Sequence, residues 1–258
     1  MEVHHHAHTS DPPDSYRDHR GRKKWTHYVW EFFMLFLAVF CGFLAEYALE
    51  HKIEADREKQ YAISMVEDLK LDTAFLNRII QLRTNRLVIL DSLSLLLDET
   101  EKSSNLSTLY YYSAITSRFG SLQFIYNDRT IQQLKNSGSL RLIRNKIVSD
   151  SITLYYGSIR RLENVQEREE RNFQDLKPYR LKIFDGRIYN KMFTNNDRIE
   201  RPEGNPPLLQ YTKDDLNGFI GNLVAVKASN TGYIRFSRDL LQKAINVLNT
   251  IKKEYDLK

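Results

Sequence analysis

The residues best suited to chemistry are gathered at one end of the chain. All seven histidines lie at or before His51, in His4, His5, His6, His8, His19, His27 and His51. The single cysteine is Cys41, and both tryptophans, Trp25 and Trp30, lie in the same stretch. From Lys52 to Lys258 there is no histidine, cysteine or tryptophan. A Ser-His-Asp or Cys-His nucleophile needs an imidazole. Zinc sites draw on Cys and His, and di-iron bundles on Glu-x-x-His pairs. None of these can be built after residue 51, and one cysteine allows no internal disulfide. Catalysis by carboxylates, Lys, Tyr or a Ser–Lys pair stays open. No Gly-x-Gly-x-x-Gly or Gly-Lys-Ser/Thr loop offers a phosphate cradle. The reading is therefore of no catalytic, cofactor-binding or metal residues. The His4–His8 tract can hold Zn, Cu or Ni, and this is read as adventitious.

Ten glycines and six prolines are few for 258 residues. Both residue types disfavour helix interiors, so their scarcity favours an all-α chain. The net charge of +5 comes from 38 basic and 33 acidic residues spread along the chain. Nucleic-acid binders concentrate Lys and Arg on one face or tract, so no nucleic-acid partner is expected.

Phe32 to Ala45 carries no charge, and Tyr28 to Leu49 carries only Glu31 and Glu46, near its ends. Those 22 residues span about 33 Å as a helix, enough to cross a bilayer. Trp25, Tyr28 and Trp30 crowd one end and Tyr47 marks the other, as in an interfacial aromatic belt. The competing reading is a cleaved signal peptide. Phe43-Leu44-Ala45 and Glu46-Tyr47-Ala48 are poor cleavage sites, and Phe40 is too large to precede a lipoprotein Cys41. Residues 25–49 are thus expected to be an uncleaved transmembrane helix in the inner (cytoplasmic) membrane. Arg17, Arg20, Arg22, Lys23 and Lys24 precede it, against Lys52, Arg57 and Lys59 after it. The positive-inside rule puts the polar tail, residues 1–24, in the cytoplasm and residues 50–258 in the periplasm. Ala38, Cys41, Gly42 and Ala45 share one helix face, and Ala38-x-x-x-Gly42 permits close packing of two such helices.

Beyond the span the pattern stays helical. Ala62, Val66, Leu69, Thr73, Leu76, Ile80, Arg83, Leu87, Leu90, Ser94 and Leu97 recur at alternating spacings of three and four. Eight of these eleven are apolar, so the stripe is interrupted. Glu101 to Asn105 breaks it, and a shorter helix with Tyr110, Tyr111 and Tyr112 follows over about 106–118, ending near Gly120. Asn127 or Asp128 is expected to cap a helix to about 136, with Gly138 taking the left-handed conformation beyond it. The next helix is expected from about Asn145 to Arg180, with Ile147, Ile152, Leu154, Tyr155, Ile159, Leu162 and Val165 inward. Glu167 to Arg171 (EREER) is read as a solvated mixed-charge stretch. Residues 182–211 are read as an irregular excursion, with Asp185-Gly186 as a hairpin turn. Thr212 with Asp215 forms a capping-box pattern before a last helix over about 213–255. Its inward set is Ile220, Leu223, Val224, Leu240, Leu241, Ile245, Leu248 and Ile251, with a kink expected at Asn230-Thr231-Gly232. The expected architecture is one transmembrane helix followed by an elongated antiparallel helical bundle.

The segments EFFMLFLAVFCGFLAEYALEHKIEADREKQY and TIQQLKNSGSLRLIRNKIVSDSITLYY resemble a family of uncharacterised single-pass envelope proteins from Gram-negative bacteria. The resemblance runs from about Trp25 onward, and its distinctive part is Leu134 to Ile143. It implies a membrane anchor, a helical extracytoplasmic domain and no catalytic residue.

These features favour a non-enzymatic membrane module that binds another envelope protein or itself. Ala38, Cys41, Gly42 and Ala45 would pack in the bilayer. The turn with Leu134, Asn136, Gly138, Leu140 and Arg141 would meet a partner. The alternative is a small-ligand sensor acting through a partner subunit. An enzyme using two carboxylates is the third reading, but no pattern selects a pair.

Overall fold

The computed structural model describes residues 25–98, 105–118, 122–194 and 198–257. The 1–24 tail, the breaks at Glu101–Ser104 and the expected stop at Gly120 lie outside them. Six α-helices make up the described chain: α1 Trp25–Asp98, α2 Leu106–Ser117, α3 Arg129–Asn136, α4 Lys146–Ile183, α5 Gly186–Met192 and α6 Lys213–Glu254. A 3₁₀ turn covers Ser139–Leu142. Among the described residues there is no named strand, only one isolated bridge between Phe193 and Ile199. The chain is all-α.

The chain divides into two compact units, Met1–Ile53 and Glu54–Lys258. In the first, every described residue to Glu50 is exposed. This part of α1 is the one described helix long and apolar enough to cross a membrane. Its window has a mean hydropathy of 2.1 and no buried share. Phenylalanines four apart stack along it, Phe32 on Phe36 and Phe36 on Phe40 with centroids 6.5 and 5.9 Å apart. Spacing of four places such rings one above the other on a helix face.

In the second unit the inward stripes of α1, α4 and α6 meet. Hydrogen bonds fix their directions. Asn145 reaches Glu254 and Lys182 reaches Asp215, at opposite ends of α4 and α6, so these two run antiparallel. On α1, Tyr155 bonds Asp72 and Gln166 bonds Arg83, so α1 and α4 run in the same direction there. Helix α6 thus runs against α4, whereas α1 runs along it, so an antiparallel pairing of α1 with α4 is not seen. The intervening short helices α2 and α3 return the chain before α4 begins. At Gly218 on α6, a Cβ would collide with the Tyr179 ring of α4, so glycine is needed for that close approach.

The core is divided. One apolar cluster holds Leu69, Leu76, Ile152, Ile159, Tyr233 and Leu240, among others. A second holds Leu90, Leu97, Tyr110, Leu176, Phe184 and Phe219. Burying a side chain of this size contributes about 1.5–3 kcal/mol. On each long helix a polar residue separates the clusters: Arg83 and Arg86 on α1, Glu169 on α4 and Asn230 on α6.

Several expectations are corrected. Ile147, Leu154, Val224 and Ile245 are exposed rather than inward. In a helix bundle the inward stripe drifts, so an apolar residue one position off it faces out. Thr73 and Ser94 sit on the expected stripe only half-buried, their hydroxyls returned to the carbonyls of Lys70 and Leu90. Asp185-Gly186 is not a hairpin turn. Asp185 caps α5 by accepting the Arg187 N–H at 2.8 Å, and Gly186 is the first helical residue. An Asp before a small residue serves a turn and a helix start equally, and burial of Ile183, Phe184 and Met192 selects the helix. The irregular excursion is thus shorter than 182–211, because α4 continues past Pro178 to Ile183. Asp128 takes the N-cap place of α3 but makes no side-chain cap bond, and Asn127 turns to Asp72 instead. Asp68 of α1 supplies the cap, accepting the Thr130 N–H at 3.1 Å. Helix α6 runs continuously through Asn230-Thr231-Gly232. The Thr212–Asp215 capping box is formed as the pattern implies.

Candidate functional site

The polar layer between the two apolar clusters is the most constrained group of side chains. Arg83 is 0% exposed, Arg86 1% and Glu169 1%. Arg83 donates through Nη1 to both Glu169 oxygens, at 3.0 and 2.9 Å. Its Nη2 donates to Gln166 Oε1 at 2.9 Å and to the Leu122 carbonyl, which also accepts from Nε at 2.9 Å. The guanidinium lies 3.4 Å from the Tyr233 ring centroid, a cation–π geometry. Asn230 closes the ring, accepting from Arg83 Nη1 at 3.3 Å and donating to the Arg83 carbonyl at 3.0 Å. Arg86 Nη1 lies 3.3 Å from Glu169 Oε1, and its guanidinium lies over Phe173. Burial lowers the Arg86 pKa to about 9, against the opposing pull of Glu169. Arg83 reaches all of these acceptors together only where Leu122, Gln166, Glu169 and Asn230 converge on it.

The EREER stretch is therefore not wholly solvated. Glu169 lies four residues past Val165, on the inward stripe of α4. Arg83 interrupts the inward stripe of α1 and Glu169 that of α4, and neither neighbourhood announces the other.

A second polar group ties the connection before α3 to α1. Asp72 accepts from Tyr155 Oη at 2.6 Å, from the Asn127 N–H at 2.8 Å and from Asn127 Nδ2 at 2.7 Å. Burial raises its pKa, and these three donors oppose the rise. Asp68 takes Thr130 Oγ1 at 2.5 Å and Arg129 Nη2 at 2.9 Å. A third group at the start of the unit joins Glu58 to the Arg144 N–H at 2.8 Å and to Tyr255 Oη at 2.6 Å.

The structure separates the residues singled out from sequence. Ala38, Cys41, Gly42 and Ala45 are exposed on α1, and a Cβ on Gly42 would meet nothing within 4 Å. In the turn, Leu134 is fully buried and Leu140 half-buried, both against the first apolar cluster. Asn136, Gly138 and Arg141 are exposed, and Gly138 has φ 65°. A partner meeting this turn would thus touch Asn136 and Arg141 and not Leu134. Tyr110 is core: it donates to the Pro207 carbonyl and accepts the Asp185 N–H, both at 3.0 Å. Among the described residues no group of three His, Cys, Asp or Glu is placed to hold a metal.

Two surface clefts flank the layer. One, of about 270 Å³, is lined by Gln123, Phe124, Ile159, Gln166 and Tyr233. The other, of about 350 Å³, lies between the second half of α4 and α5 and includes Phe173, Lys177, Arg180 and Tyr189. In the sequence Arg180 marks only the end of a helix, and nothing nearby points to a cleft.

Compared with known proteins, the chain matches no family model, no curated protein and no solved structure.

The buried tyrosines set an alkaline limit. Burial raises the pKa of Tyr155, Tyr156, Tyr189 and Tyr233, and Asp72 raises that of Tyr155 further. The folded chain then holds phenolic protons that the unfolded chain releases above its value of 10.0. Their contribution is intact below that pH and is lost above it, each at about 1.4 kcal/mol per pH unit. Arg86 acts oppositely between about 9 and its unfolded value of 12.5, where the folded state binds fewer protons. Tyr110, Tyr126 and Tyr255 shift with the other phenols and Arg180 with Arg86, so seven phenols oppose two guanidiniums. The denaturant midpoint is expected to fall steeply above about pH 10. A midpoint that keeps rising above that pH would contradict the assignment.

Proposed function

We propose that this chain is a membrane-anchored, non-enzymatic helical module of the bacterial envelope, acting as a scaffold for another envelope protein or for a second copy of itself. Residues 25–49 form its single span in the inner membrane. The 1–24 tail lies in the cytoplasm and the helical unit in the periplasm. The observation that carries the reading is the apolar, wholly exposed window at the start of α1. A core helix of a soluble protein would bury such a surface, whereas a bilayer covers it. The basic residues before the span support the orientation. We read α1, α4 and α6 as a bundle locked by the Arg83–Glu169 layer, a rigid body suited to holding a partner rather than to turning over substrate.

Cross-linking in native membranes tests it. The expected result is a defined adduct. Ala38→Leu with Gly42→Leu is expected to abolish it if the contact is within the bilayer. Asn136→Arg with Arg141→Glu is expected to abolish it if the turn is the contact. No adduct, or one unchanged by both pairs, would refute the scaffold reading.

A further inference from the structure

Arg180 stands apart from the other buried cations. It is 8% exposed, yet among the described residues no carboxylate pairs with it. A guanidinium carries five N–H donors. Among the described residues Arg180 makes one hydrogen bond, from Nη2 to Thr116 Oγ1 at 3.3 Å, and its Nε finds no acceptor. Burying a charge costs several kcal/mol unless an opposite charge or well-placed acceptors compensate. Arg83 meets that condition through Glu169, Gln166 and the Leu122 carbonyl. The last-turn position of Arg180 on α4 offers a favourable helix dipole, which is weaker than the cost of burying its charge.

Arg180 lines the cleft of about 350 Å³. The other residues around it define what fits. Lys177, one turn back on α4, adds a second cation at the rim, and Glu170 lies further along the same wall. Two cations and one carboxylate favour a monoanion over a dianion such as phosphate. Phe173, Leu181 and Phe193 supply apolar walls, and Leu181 and Phe193 are large apolar side chains left exposed. A ligand that neutralised Arg180 and covered these two would remove both costs together.

We propose that this cleft is a binding site for a small organic monocarboxylate with an apolar body, its carboxylate on Arg180 and its body against Phe173, Leu181 and Phe193. The site lies wholly within the second unit, so it does not depend on the membrane reading and can fail or succeed separately from it.

Titration calorimetry on the full chain in detergent, with benzoate as the probe, tests the proposal. Benzamide is the neutral molecule of the same shape, and inorganic phosphate is the anion without an apolar body. Saturable benzoate binding is expected with Kd of about 1 mM or tighter, and both comparison molecules at least ~10-fold weaker. Arg180→Met is expected to weaken benzoate at least ~10-fold while leaving the unliganded melting temperature unchanged or higher, because it removes a buried charge that lacks a carboxylate. A merely structural arginine would instead lower that temperature. Lys177→Glu, at an exposed position, keeps the fold and is also expected to weaken benzoate about 10-fold. It decides the matter should Arg180→Met fail to fold, and it separates site binding from partitioning into micelles. No saturable benzoate binding up to about 20 mM, equal binding of phosphate, or binding retained by the folded variants would overturn the proposal.

Discussion

Glu169→Ala is expected to lower the unfolding free energy by about 3–5 kcal/mol, the largest loss from any single truncation in the helical unit. The carboxylate it removes is held by Arg83 at 2.9 Å and faces Arg86 at 3.3 Å, with all three side chains almost fully excluded from water. Its loss leaves two guanidiniums facing each other without the charge that offsets them. The same layer meets residues from α4, α6 and the Leu122 connection, so the damage is not local. A triple variant, Arg83→Met with Arg86→Met and Glu169→Leu, removes every charge at once. It is expected to recover much of the stability lost by the single change, since apolar replacements of whole buried ion clusters are often neutral or stabilising. Urea denaturation of the full chain in detergent measures both. A single variant within about 1 kcal/mol of the parent would show that the layer does not hold the helices together.

Leu37→Arg with Phe40→Arg is expected to release the chain from the membrane. Both positions lie near the middle of the exposed apolar window of α1. On insertion scales each change replaces a side chain favoured by a few tenths of a kcal/mol with one disfavoured by about 2.5–3.5 kcal/mol. The pair therefore works against insertion by about 6 kcal/mol, enough to reverse a single-span equilibrium. Leu71→Arg with Leu95→Arg, at exposed positions of the second unit, is the matched control. Carbonate-washed membranes are expected to retain the control and lose the first pair. Retention of both pairs would mean that the apolar window is not what holds the chain at the membrane.

Much of the helical fold was legible because period and caps are local. The Thr212–Asp215 capping box, the left-handed Gly138 and the extent of α2 follow from neighbours within a few residues. What was not legible depends on pairing across long separations. Asp68 caps α3 from another helix, and no residue near Thr130 announces that. Glu169 reads as one more surface charge in EREER until Arg83 is brought to it from 86 residues away. Asn230 reads as a helix weakness because its partner, again Arg83, is 147 residues distant. Asp185-Gly186 carries two local meanings, and burial of its neighbours chose between them. The Arg180 cleft had no sequence signal beyond a cation late in a helix. It is visible only once α5 folds back beside α4.

The proposed orientation sets residues 50–258 outside the cytoplasm. Protease added to cells with a permeabilised outer layer, followed by detection of a C-terminal epitope, tests that directly. The account predicts that the epitope is digested while a short fragment carrying the span stays with the membrane. An epitope protected until the inner membrane is lysed would contradict the orientation. Recovery of the intact chain in the soluble fraction would contradict the anchor itself.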